Sequence, residues 1–324
     1  MNKLVTFLFM VALAFSCWGE VSVEVVGDLN GDKIVDVEDV NAVINIILST
    51  NNREGIQANA DLNGDEVVDV DDLNIIINFI LEVNPLLTKY NVNGVTFTMV
   101  AIKGGTYMMG ATENQLEYAE DAEMPAHQVT VSNFSIGQTT VTQELWMAIM
   151  GNNPSYFSSN YNIEDDFQRP VELITWYEIV EFISTLNDLT DARFRIPTEA
   201  EWEFAARGGN KSHGYLFAGS DDFNEVGWNY ANTSYCTQPV GLKKPNELGL
   251  YDMSGNVWEM CNDWWDENYY SVSPAVNPQG PETGTYKSAR GGSLVNSAIL
   301  SRVSMRDWVP LDGRYTTMGF RLAQ

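Results

Sequence analysis

The strongest constraint on this chain is a segment that occurs twice near its N-terminus. The first copy begins at Asp28 and reads DLNGDKIVDVEDVNAVINIIL, and the second begins 33 residues later, at Asp61, and reads DLNGDEVVDVDDLNIIINFIL. Self-similarity at a fixed period indicates one structural unit that is used twice, with the copies stacked on each other. The sequence therefore predicts a small module built from two equivalent halves.

Each copy begins as a loop with oxygen-bearing side chains at positions 1, 3, 5, 9 and 12, and a backbone carbonyl is available at position 7. This is the ligand spacing of an EF-hand calcium loop. Carboxylates crowded around one turn repel one another unless a divalent cation lies among them, so we expect one calcium ion in each loop. The predicted ligands are Asp28, Asn30, Asp32, Ile34, Asp36 and Asp39, and then Asp61, Asn63, Asp65, Val67, Asp69 and Asp72.

After each loop, apolar residues follow at helical spacing, which predicts two amphipathic helices that bury their apolar stripes against each other. One feature departs from the EF-hand pattern, since Lys33 and Glu66 occupy loop position 6, where glycine is usual. A side chain at that position strains the turn or weakens calcium binding. The two stripes are Val40, Val43, Ile44, Ile47 and Leu48, and Leu73, Ile76, Ile77, Ile80 and Leu81.

Over residues 26–83, the paired loops and helices resemble the type I dockerin module, which lacks the incoming helix of a full EF-hand. The resemblance implies an all-α module that docks onto a cohesin-like protein on a scaffold or cell surface. Loop positions 10 and 11 carry partner choice in dockerins, and here they are Val37-Glu38 and Val70-Asp71. Their near identity implies two equivalent docking faces. The alternative is a calcium-stabilised spacer that binds no partner.

A second stretch constrains the C-terminal part of the chain, Gly249–Trp265, which reads GLYDMSGNVWEMCNDWW. Its two glycines and its asparagine allow a tight turn with carbonyls pointing one way, and its three tryptophans need a large shared core. The turn predicts a cage for a hard cation, formed by Asp252, the carbonyl oxygens of Gly255 and Val257, and the Glu259 carboxylate. The alternative is a buried turn in which Glu259 only accepts a hydrogen bond.

Four motifs, of which this stretch provides one, follow in the order IPTEAEWEFAARGG, GLYDMSGNVWEM, ARGGS and GFRLA. Together they resemble the formylglycine-generating enzyme family, also called the sulfatase-modifying factor family, over residues 92–324. The resemblance implies a C-type-lectin-like fold with little regular secondary structure. Family members oxidise a cysteine of sulfatases to formylglycine with copper and oxygen. The same fold also serves ligand-binding proteins, so it does not by itself fix the activity.

The copper-binding cysteines of that family are missing from the matching positions. In the oxidases they stand at the third and eighth positions after the serine of the GGS motif and hold copper(I) as a linear dithiolate. Counting from Ser293, these positions are Asn296 and Ser301. Soft copper(I) requires thiolate sulfur, which an amide and a neutral hydroxyl do not replace, so copper is not expected as a cofactor.

The segment Leu294–Thr317 mixes aromatic, arginine, serine and asparagine side chains without a single period, as a recognition surface does. It resembles the diversified C-terminal region of retroelement-targeted lectin-like proteins, which share the GGS and GFR motifs on either side. We therefore expect a pocket here for a peptide, protein or glycan ligand; the alternative is an inert, decayed active site. The predicted pocket residues are Trp258, Ser293, Asn296, Ser301, Arg306 and Trp308.

Composition limits the partners and the compartment. Lys and Arg number 18 against 44 Asp and Glu, and the net charge of −26 opposes nucleic-acid binding, which needs basic clusters. Residues 1–19 read as an export signal, since an apolar run too short to span a bilayer follows Lys3. No later stretch has transmembrane character, so we expect an extracellular or cell-surface protein. Cys17 either carries a lipid anchor or is removed with the signal.

The remaining cysteines, Cys236 and Cys261, form an even pair that permits one disulfide in an exported chain without requiring it. The predicted fold class is α+β, with the all-α module over 26–83, a linker over 84–91 and the lectin-like domain over 92–324. Within that domain the sequence predicts strands at Val95–Ile102 and Gln128–Ile136, and helices at Val141–Met150, Trp176–Leu189 and Thr198–Ala206.

Three functions are consistent with these features. The first is a two-module protein that uses a catalytically degenerate domain to bind a ligand. The second is an enzyme, either a sulfatase-maturation oxidase with a relocated thiol or a different activity in the same pocket. The third is an accessory component of a polysaccharide-degrading assembly, which the dockerin resemblance alone implies.

Overall fold

The computed structural model describes residues 21–48, 59–81, 85–158 and 167–324. The predicted export signal and Cys17 lie outside the described residues, as does the first residue of the predicted linker. The helices are α1 (Val37–Leu48), α2 (Val70–Ile80), α3 (Gln143–Met150), α4 (Trp176–Thr190), α5 (Glu199–Ala206) and α6 (Phe223–Val226). The strands are β1 (Val21–Val25), β2 (Leu87–Val92), β3 (Val95–Ile102), β4 (Gly105–Met109), β5 (His127–Val131), β6 (Phe134–Gly137), β7 (Trp258–Trp264), β8 (Tyr286–Arg290), β9 (Arg306–Pro310) and β10 (Met318–Phe320).

Helices α1 and α2 pack on each other and form the core of the repeat module. Val43 and Ile76, which occupy equivalent places in the two copies, are fully buried. Helix α2 begins at Asp69, which forms a capping box with Asp72 and so satisfies backbone N–H groups of the first turn. The pair of amphipathic helices predicted from the apolar spacing is therefore confirmed.

The first sheet has the strand order β1-β2-β3-β6, with antiparallel neighbours throughout. Strand β1 precedes the module in sequence and β2 follows it, so the module is inserted between two paired strands. The linker predicted over 84–91 is wrong over Leu87–Asn91, because these residues belong to β2 and pair with β1 and β3. Of the β2 residues, only Tyr90 and Val92 are buried. The alternation of buried and exposed positions is therefore too short to indicate a strand from the sequence.

The single strand predicted over Gln128–Ile136 is two strands that belong to different sheets. Strand β5 pairs with β4, whereas β6 pairs with β3. Between them, the Asn133 side chain accepts a hydrogen bond from the Gly104 backbone N–H at 2.8 Å. This contact fixes the turn at which the chain leaves one sheet for the other.

The second sheet has the order β10-β7-β8-β9 and carries the candidate site. Strand β7 is parallel to β10 and antiparallel to β8, and its register with β8 shifts between Met260 and Trp264. Two residues of this irregular segment, Cys261 and Asp263, are buried. A bulge of this kind re-aims side chains, and here it places polar groups of β7 in the core.

Helices α4 and α5 both begin with a capping box. In α4 the box joins Thr175 and Glu178, and in α5 it joins Thr198 and Glu201. The observed bounds of both helices agree with the predicted ones to within one residue. Few regular elements surround a large core, so the predicted α+β class is confirmed.

Candidate functional site

The turn at the centre of the candidate site joins separate segments of the chain. Asp252 and Asn256 adopt left-handed backbone conformations, with φ of 57° and 64°. The Gly255 N–H donates to the Gly291 carbonyl at 2.7 Å, and the Leu294 N–H donates to the Asn256 carbonyl at 2.9 Å. The turn therefore fixes both ends of the GGS segment, which is where the family resemblance places the chemistry.

The Glu259 carboxylate is engaged by protein groups on both oxygens. Arg321 donates to them at 2.9 and 2.7 Å, and the Trp202 indole N–H donates at 2.7 Å. All three side chains are buried, so the ion pair is shielded from water. Glu259 lies where a cation cage was predicted, and its charge is already matched by the arginine of the GFRLA motif.

Asp252 offers a different environment. One of its carboxylate oxygens accepts from the Gly241 N–H at 2.8 Å, whereas the other is buried and has no hydrogen-bond partner. Burial raises the pKa of Asp252 to about 6, although the Gly241 hydrogen bond and the charge of Arg321 oppose this shift. An unpartnered buried oxygen fits a bound cation, so Asp252 and the carbonyls of Gly255 and Val257 remain the predicted ligands.

The two positions that hold cysteines in the family oxidases lie against the same turn. The Ser293 hydroxyl donates to the Asn296 side-chain carbonyl at 2.6 Å. Ser301 is buried, and a side chain at Gly292 would collide with its hydroxyl. That hydroxyl has no hydrogen-bond partner within the described structure. An amide and a hydroxyl thus stand at the two positions that the family resemblance assigns to the copper ligands.

Neither remaining cysteine is part of a pair. Cys236 and Cys261 are both free thiols, so the disulfide that the sequence permits does not form. Burial raises the pKa of Cys261 well above its ordinary value, and the nearby charges of Glu199 and Asp263 raise it further. Cys261 therefore stays protonated, which makes it a poor ligand for soft metals.

The prediction that Arg306 anchors a ligand is wrong. Its guanidinium is buried and forms a bidentate ion pair with Glu199, with distances of 2.6 and 2.9 Å, and it donates to the Ala122 carbonyl at 2.7 Å. Tyr270 and Trp265 cover its faces at 4.0 and 4.6 Å. An arginine so close to a buried glutamate gains more by pairing with it than by facing solvent.

The other predicted pocket residues divide between the interior and the surface. Trp258 and Ser293 are buried, whereas Trp308 is 46% exposed and packs on Tyr286 with ring centroids 4.3 Å apart. Val295, next to Asn296 in sequence, is 50% exposed. Exposed groups therefore lie in the loop that holds Asn296, at Val295, and on strand β9, at Trp308.

Sequence reasoning missed a buried ionic network. Arg290 donates to Glu199 at 2.8 Å and to Glu203 at 2.6 Å, and all three residues are buried. Burial alone would raise the pKa of Glu199, but Arg306 and Arg290 lower it to about 2. The available signal was Glu199 and Glu203 four residues apart on a helix whose other residues are mostly apolar, with arginines in the ARGGS and SMRDW segments.

In the repeat module the predicted ligands accept hydrogen bonds from their own loop. In the first loop, Asp28 accepts from the N–H groups of Gly31 and Lys33, and Asp39 accepts from those of Leu29 and Asp36. The second loop repeats these contacts. As they stand, no three His, Cys, Asp or Glu side chains within residues 21–48, 59–81, 85–158 and 167–324 are grouped to hold a metal ion.

The donor set of the loops nevertheless fits calcium in type and order, because every predicted side-chain ligand is a carboxylate or amide oxygen. Lys33 and Glu66 have φ of 70° and 68°, the left-handed conformation that glycine adopts at loop position 6. The chain therefore makes the sharp turn of a calcium loop without the residue that makes it most easily.

Comparison with known sequences identifies both parts of the chain. The profile described as the sulfatase-modifying factor enzyme 1-like domain matches residues 86–324. The chain belongs to this family. The profile of the dockerin type I domain matches residues 26–81. The sulfatase-modifying factor match begins one residue before β2, in agreement with the place of that strand in the first sheet.

Relatives within the sulfatase-modifying factor family carry different names. The formylglycine-generating enzyme of Thermomonospora curvata is 30% identical over 294 residues, which is 69% of this chain and 92% of that protein. The chaperone protein LppX of Paenibacillus barcinonensis is 31% identical over 247 residues, covering 60% of this chain and 81% of its own length. The solved structure of Treponema denticola variable protein 1 is 31% identical, with a TM-score of 0.65, and the match covers 74% of this chain and 99% of that one.

No helix among the described residues is both long enough and apolar enough to cross a membrane.

Proposed function

We propose that this chain is an exported, two-module binding protein. Its dockerin type I module, residues 26–83, attaches it to a cohesin-like protein, and its sulfatase-modifying factor domain binds a ligand without the oxidation that the family is named for. That domain is proposed to span residues 92–324 together with β2. The export signal at residues 1–19 would place the protein outside the cell or on its surface, with Cys17 as a lipid-anchor site if it is retained.

The observation that carries this proposal is the pair of side chains against the GGS turn. By their spacing from Ser293, Asn296 and Ser301 match the positions of the copper ligands in the family oxidases, and Ser301 is buried beside Gly292. Copper(I) needs two thiolates, and the buried Cys261 keeps its proton. The pocket can therefore hold a ligand by shape and hydrogen bonds, but it lacks the chemistry to bind copper(I).

The proposed ligand face consists of Val295, Asn296 and Trp308. An exposed tryptophan beside polar groups that can adapt their hydrogen bonds is a common anchor for protein and glycan ligands. The similarity to a structure named as a variable protein supports recognition, rather than catalysis, as the use of this face.

Calcium is the proposed cofactor, with two ions in the dockerin module and one beside Asp252. The loop oxygens of the module would hold the first two. In the domain, the unpartnered oxygen of Asp252 and the carbonyls of Gly255 and Val257 would hold the third, with Glu259 shared between the ion and Arg321. The ions would supply charge compensation for the acidic loops and no chemical step.

Restoring the thiols tests the degeneracy of the site. The wild-type protein should retain no copper(I) after dialysis and should not convert a Cys-Thr-Pro-Ser-Arg peptide to the aldehyde. The double variant Asn296→Cys, Ser301→Cys should bind one copper(I) per chain, and each single variant should bind none, because two thiolates are needed. Stoichiometric copper(I) and peptide oxidation in the wild-type protein would overturn the proposal.

Ligand binding is tested with arrays of glycans and peptides. The wild-type protein should bind a subset of spots, and Trp308→Ser should abolish that binding. Tyr235→Ser, which removes an even more exposed aromatic group from a separate loop, should leave it unchanged. Equal binding by the wild-type protein and Trp308→Ser would show that the ligand does not bind at the proposed face.

A second candidate function is the sulfatase-maturation oxidase, and it is favoured by one observation, the 30% identity to a formylglycine-generating enzyme over 69% of this chain. It requires a thiol that reaches the pocket from elsewhere, for which Cys236 is the partly exposed candidate. Peptide oxidation that is lost in Cys236→Ser would establish it, whereas absence of oxidation in both proteins would exclude it.

Attachment through the dockerin module is tested with immobilised cohesins, and recovery should require calcium. Val37 and Val70 are exposed at equivalent positions of the two copies. If the two faces are equivalent, Val37→Asp or Val70→Asp alone should leave binding intact, and the double variant should abolish it. Failure of every cohesin in calcium would favour the spacer over an accessory role in a polysaccharide-degrading assembly.

A further inference from the structure

The ends of the dockerin module meet at one edge of the first sheet. Strand β1 pairs with β2 along its whole length, from Val21 opposite Val92 to Val25 opposite Thr88. The pairing continues into the module, because the Val26 N–H donates to the Leu87 carbonyl at 2.9 Å. The module is therefore joined to the sheet at two points that are hydrogen bonded to each other.

The junction between β1 and the first calcium loop is only one turn long. The Asp28 N–H donates to the Val25 carbonyl at 3.1 Å, and Gly27 between them has φ of 93°. The Asp28 carboxylate in turn accepts hydrogen bonds from Gly31 and Lys33 at 2.7 and 2.8 Å. The first predicted calcium ligand is thus placed by the last residue of a sheet strand.

The second loop has the same ligands without this junction. Asp61 follows the buried Ala60, and no described hydrogen bond joins it to a strand of the sheet. Two loops that are nearly identical in sequence consequently differ in what they are attached to. The two loops therefore have different surroundings because of where the module is inserted, although their own sequences are nearly identical.

We propose that the first calcium loop and strand β1 form one coupled unit, so that calcium in this loop holds β1 on the sheet edge and calcium in the second loop does so much less. The proposal rests on the calcium binding proposed above. Strand β1 is short and mostly exposed, and it is held by the β2 ladder, the turn to Asp28 and the packing of Val21 on the core. Ordering the loop fixes that turn, which spares β1 part of the entropy that its pairing costs.

Coupling of this kind is reciprocal. If calcium in the first loop favours pairing of β1, then pairing of β1 raises the affinity of that loop by the same factor. The sheet would act as a preorganised support for one of two otherwise equal sites. Two equal loops would therefore bind calcium with two different affinities in the full chain.

The forward test measures hydrogen exchange of the Ser22–Val25 amides in the full-length protein. Asp32→Asn and Asp65→Asn are matched variants, because each neutralises the ligand at loop position 5 and can keep its hydrogen bond to the Ile34 or Val67 N–H. With calcium present, Asp32→Asn should speed exchange of the β1 amides at least about tenfold, as chelation does in the wild-type protein. Asp65→Asn should leave exchange close to the wild-type rate.

The reverse test breaks β1 and measures calcium by titration calorimetry. Proline at Val23 and, in a separate variant, at Glu24 removes a ladder N–H from β1 in at least one of the two. In the Asp65→Asn background, where the first loop is the intact loop of the module, each proline should weaken calcium binding to that loop about tenfold. In the Asp32→Asn background, where the second loop is the intact one, each proline should change calcium binding to that loop less than about twofold.

Equal effects of the two asparagine variants on β1 exchange, or equal effects of proline on the two loops, would overturn the coupling. Calcium stoichiometry separates this failure from failure of the proposed function. Two ions in the wild-type module and one in each asparagine variant would support calcium binding whatever β1 does. Absence of any bound calcium ion would contradict both the coupling and the proposed calcium binding.

Discussion

Acidic side chains have opposite roles in the dockerin module and in the core of the sulfatase-modifying factor domain. In the module, the carboxylates of the two loops accept hydrogen bonds from backbone N–H groups and from the side-chain amides of Asn30 and Asn63. In the domain, Glu123, Glu199, Glu203 and Glu259 are buried, and each pairs with an arginine. The module leaves its charge to be matched by an external cation, whereas the core supplies its cations from the chain.

The role of a carboxylate in this protein therefore depends on the charge of the groups beside it rather than on its residue type. Glu172 is the informative exception, because it is fully buried and no arginine among the described residues pairs with it. Burial raises the pKa of Glu172 to about 7, whereas Arg306 and Arg290 outweigh burial and lower that of Glu199 to about 2. The same residue type thus keeps its proton up to about neutral pH at one buried position and is charged at another.

The largest effect should follow from removing an arginine from the core network. Arg290→Met removes the arginine that Glu199 and Glu203 share and leaves both carboxylates buried with weaker ion pairing. This loss should lower the free energy of unfolding by about 3–5 kcal/mol. Urea unfolding of the domain, followed by tryptophan fluorescence, measures the change.

The matched control is Arg314→Met, which removes an arginine from a partly exposed pair with Glu178 at 2.8 Å. Solvent screens that pair, so the loss should stay within about 1 kcal/mol. A loss for Arg290→Met as small as that for Arg314→Met would mean that the buried network does not stabilise the domain.

Calcium removal should produce the next largest effect, mainly in the module, which would hold two of the three proposed ions. A ligand at about 100 times its dissociation constant stabilises the folded state by about 2.7 kcal/mol per site. Chelation should therefore lower the module's melting temperature and the helical signal of α1 and α2 in the far ultraviolet, while the domain, which would lose one ion but keeps its arginine–glutamate pairs, should change its near-ultraviolet spectrum much less. An unchanged far-ultraviolet spectrum would contradict metal-coupled folding of the module.

The comparison also explains how much the sequence could predict. Local patterns were sufficient for the repeat, for the helices with capping boxes and for the family motifs, because each depends on neighbours within a few residues. The pairing of β1 with β2 was missed because the two strands are separated by the whole module. Strand pairing across such a distance leaves no local pattern in a five-residue segment.

The site was predicted in part for the same reason. Counting from Ser293 identified the substituted positions, because they lie close to it in sequence. Arg306 was misplaced because its partner, Glu199, is more than a hundred residues away. The long-range pairing of Arg321 with Glu259 was likewise invisible, although both residues stand in motifs that the sequence analysis singled out.

The pH dependence of stability should distinguish the unpaired glutamate from the paired ones. An unfolded Glu172 releases its proton near the ordinary value of 4.5, whereas the folded chain keeps it up to about pH 7. The folded state therefore binds more protons in this interval, and stability falls as the pH rises through it. Glu172→Gln, which has no charge to form, should gain on the order of 2 kcal/mol over the wild type between pH 5 and pH 8.

Glu178→Gln is the control for this titration. Partial burial favours a higher pKa for Glu178, but hydrogen bonds from Arg314 and Thr175 outweigh it and lower the pKa below 4.5. Its contribution is therefore lost only in acid, and the difference from the wild type should stay flat between pH 5 and pH 8. A flat difference for Glu172→Gln as well would show that Glu172 is ionised in the folded protein at neutral pH.

The smallest predicted effect concerns the backbone of the calcium loops. Lys33 has φ of 70°, where a side chain is strained and glycine is not. Lys33→Gly should stabilise the module by about 1 kcal/mol relative to Lys33→Ala, and the alanine variant controls for the lost charge because it keeps the strained conformation. Thermal unfolding of both variants, with calcium and with chelator, measures the difference.

Because the strain belongs to the folded loop whether or not an ion is bound, the gain should be present in both conditions. A gain that appeared only with calcium would instead place the strain in the ion-bound turn and sharpen the contrast with the domain, where arginines match the charge of most buried glutamates.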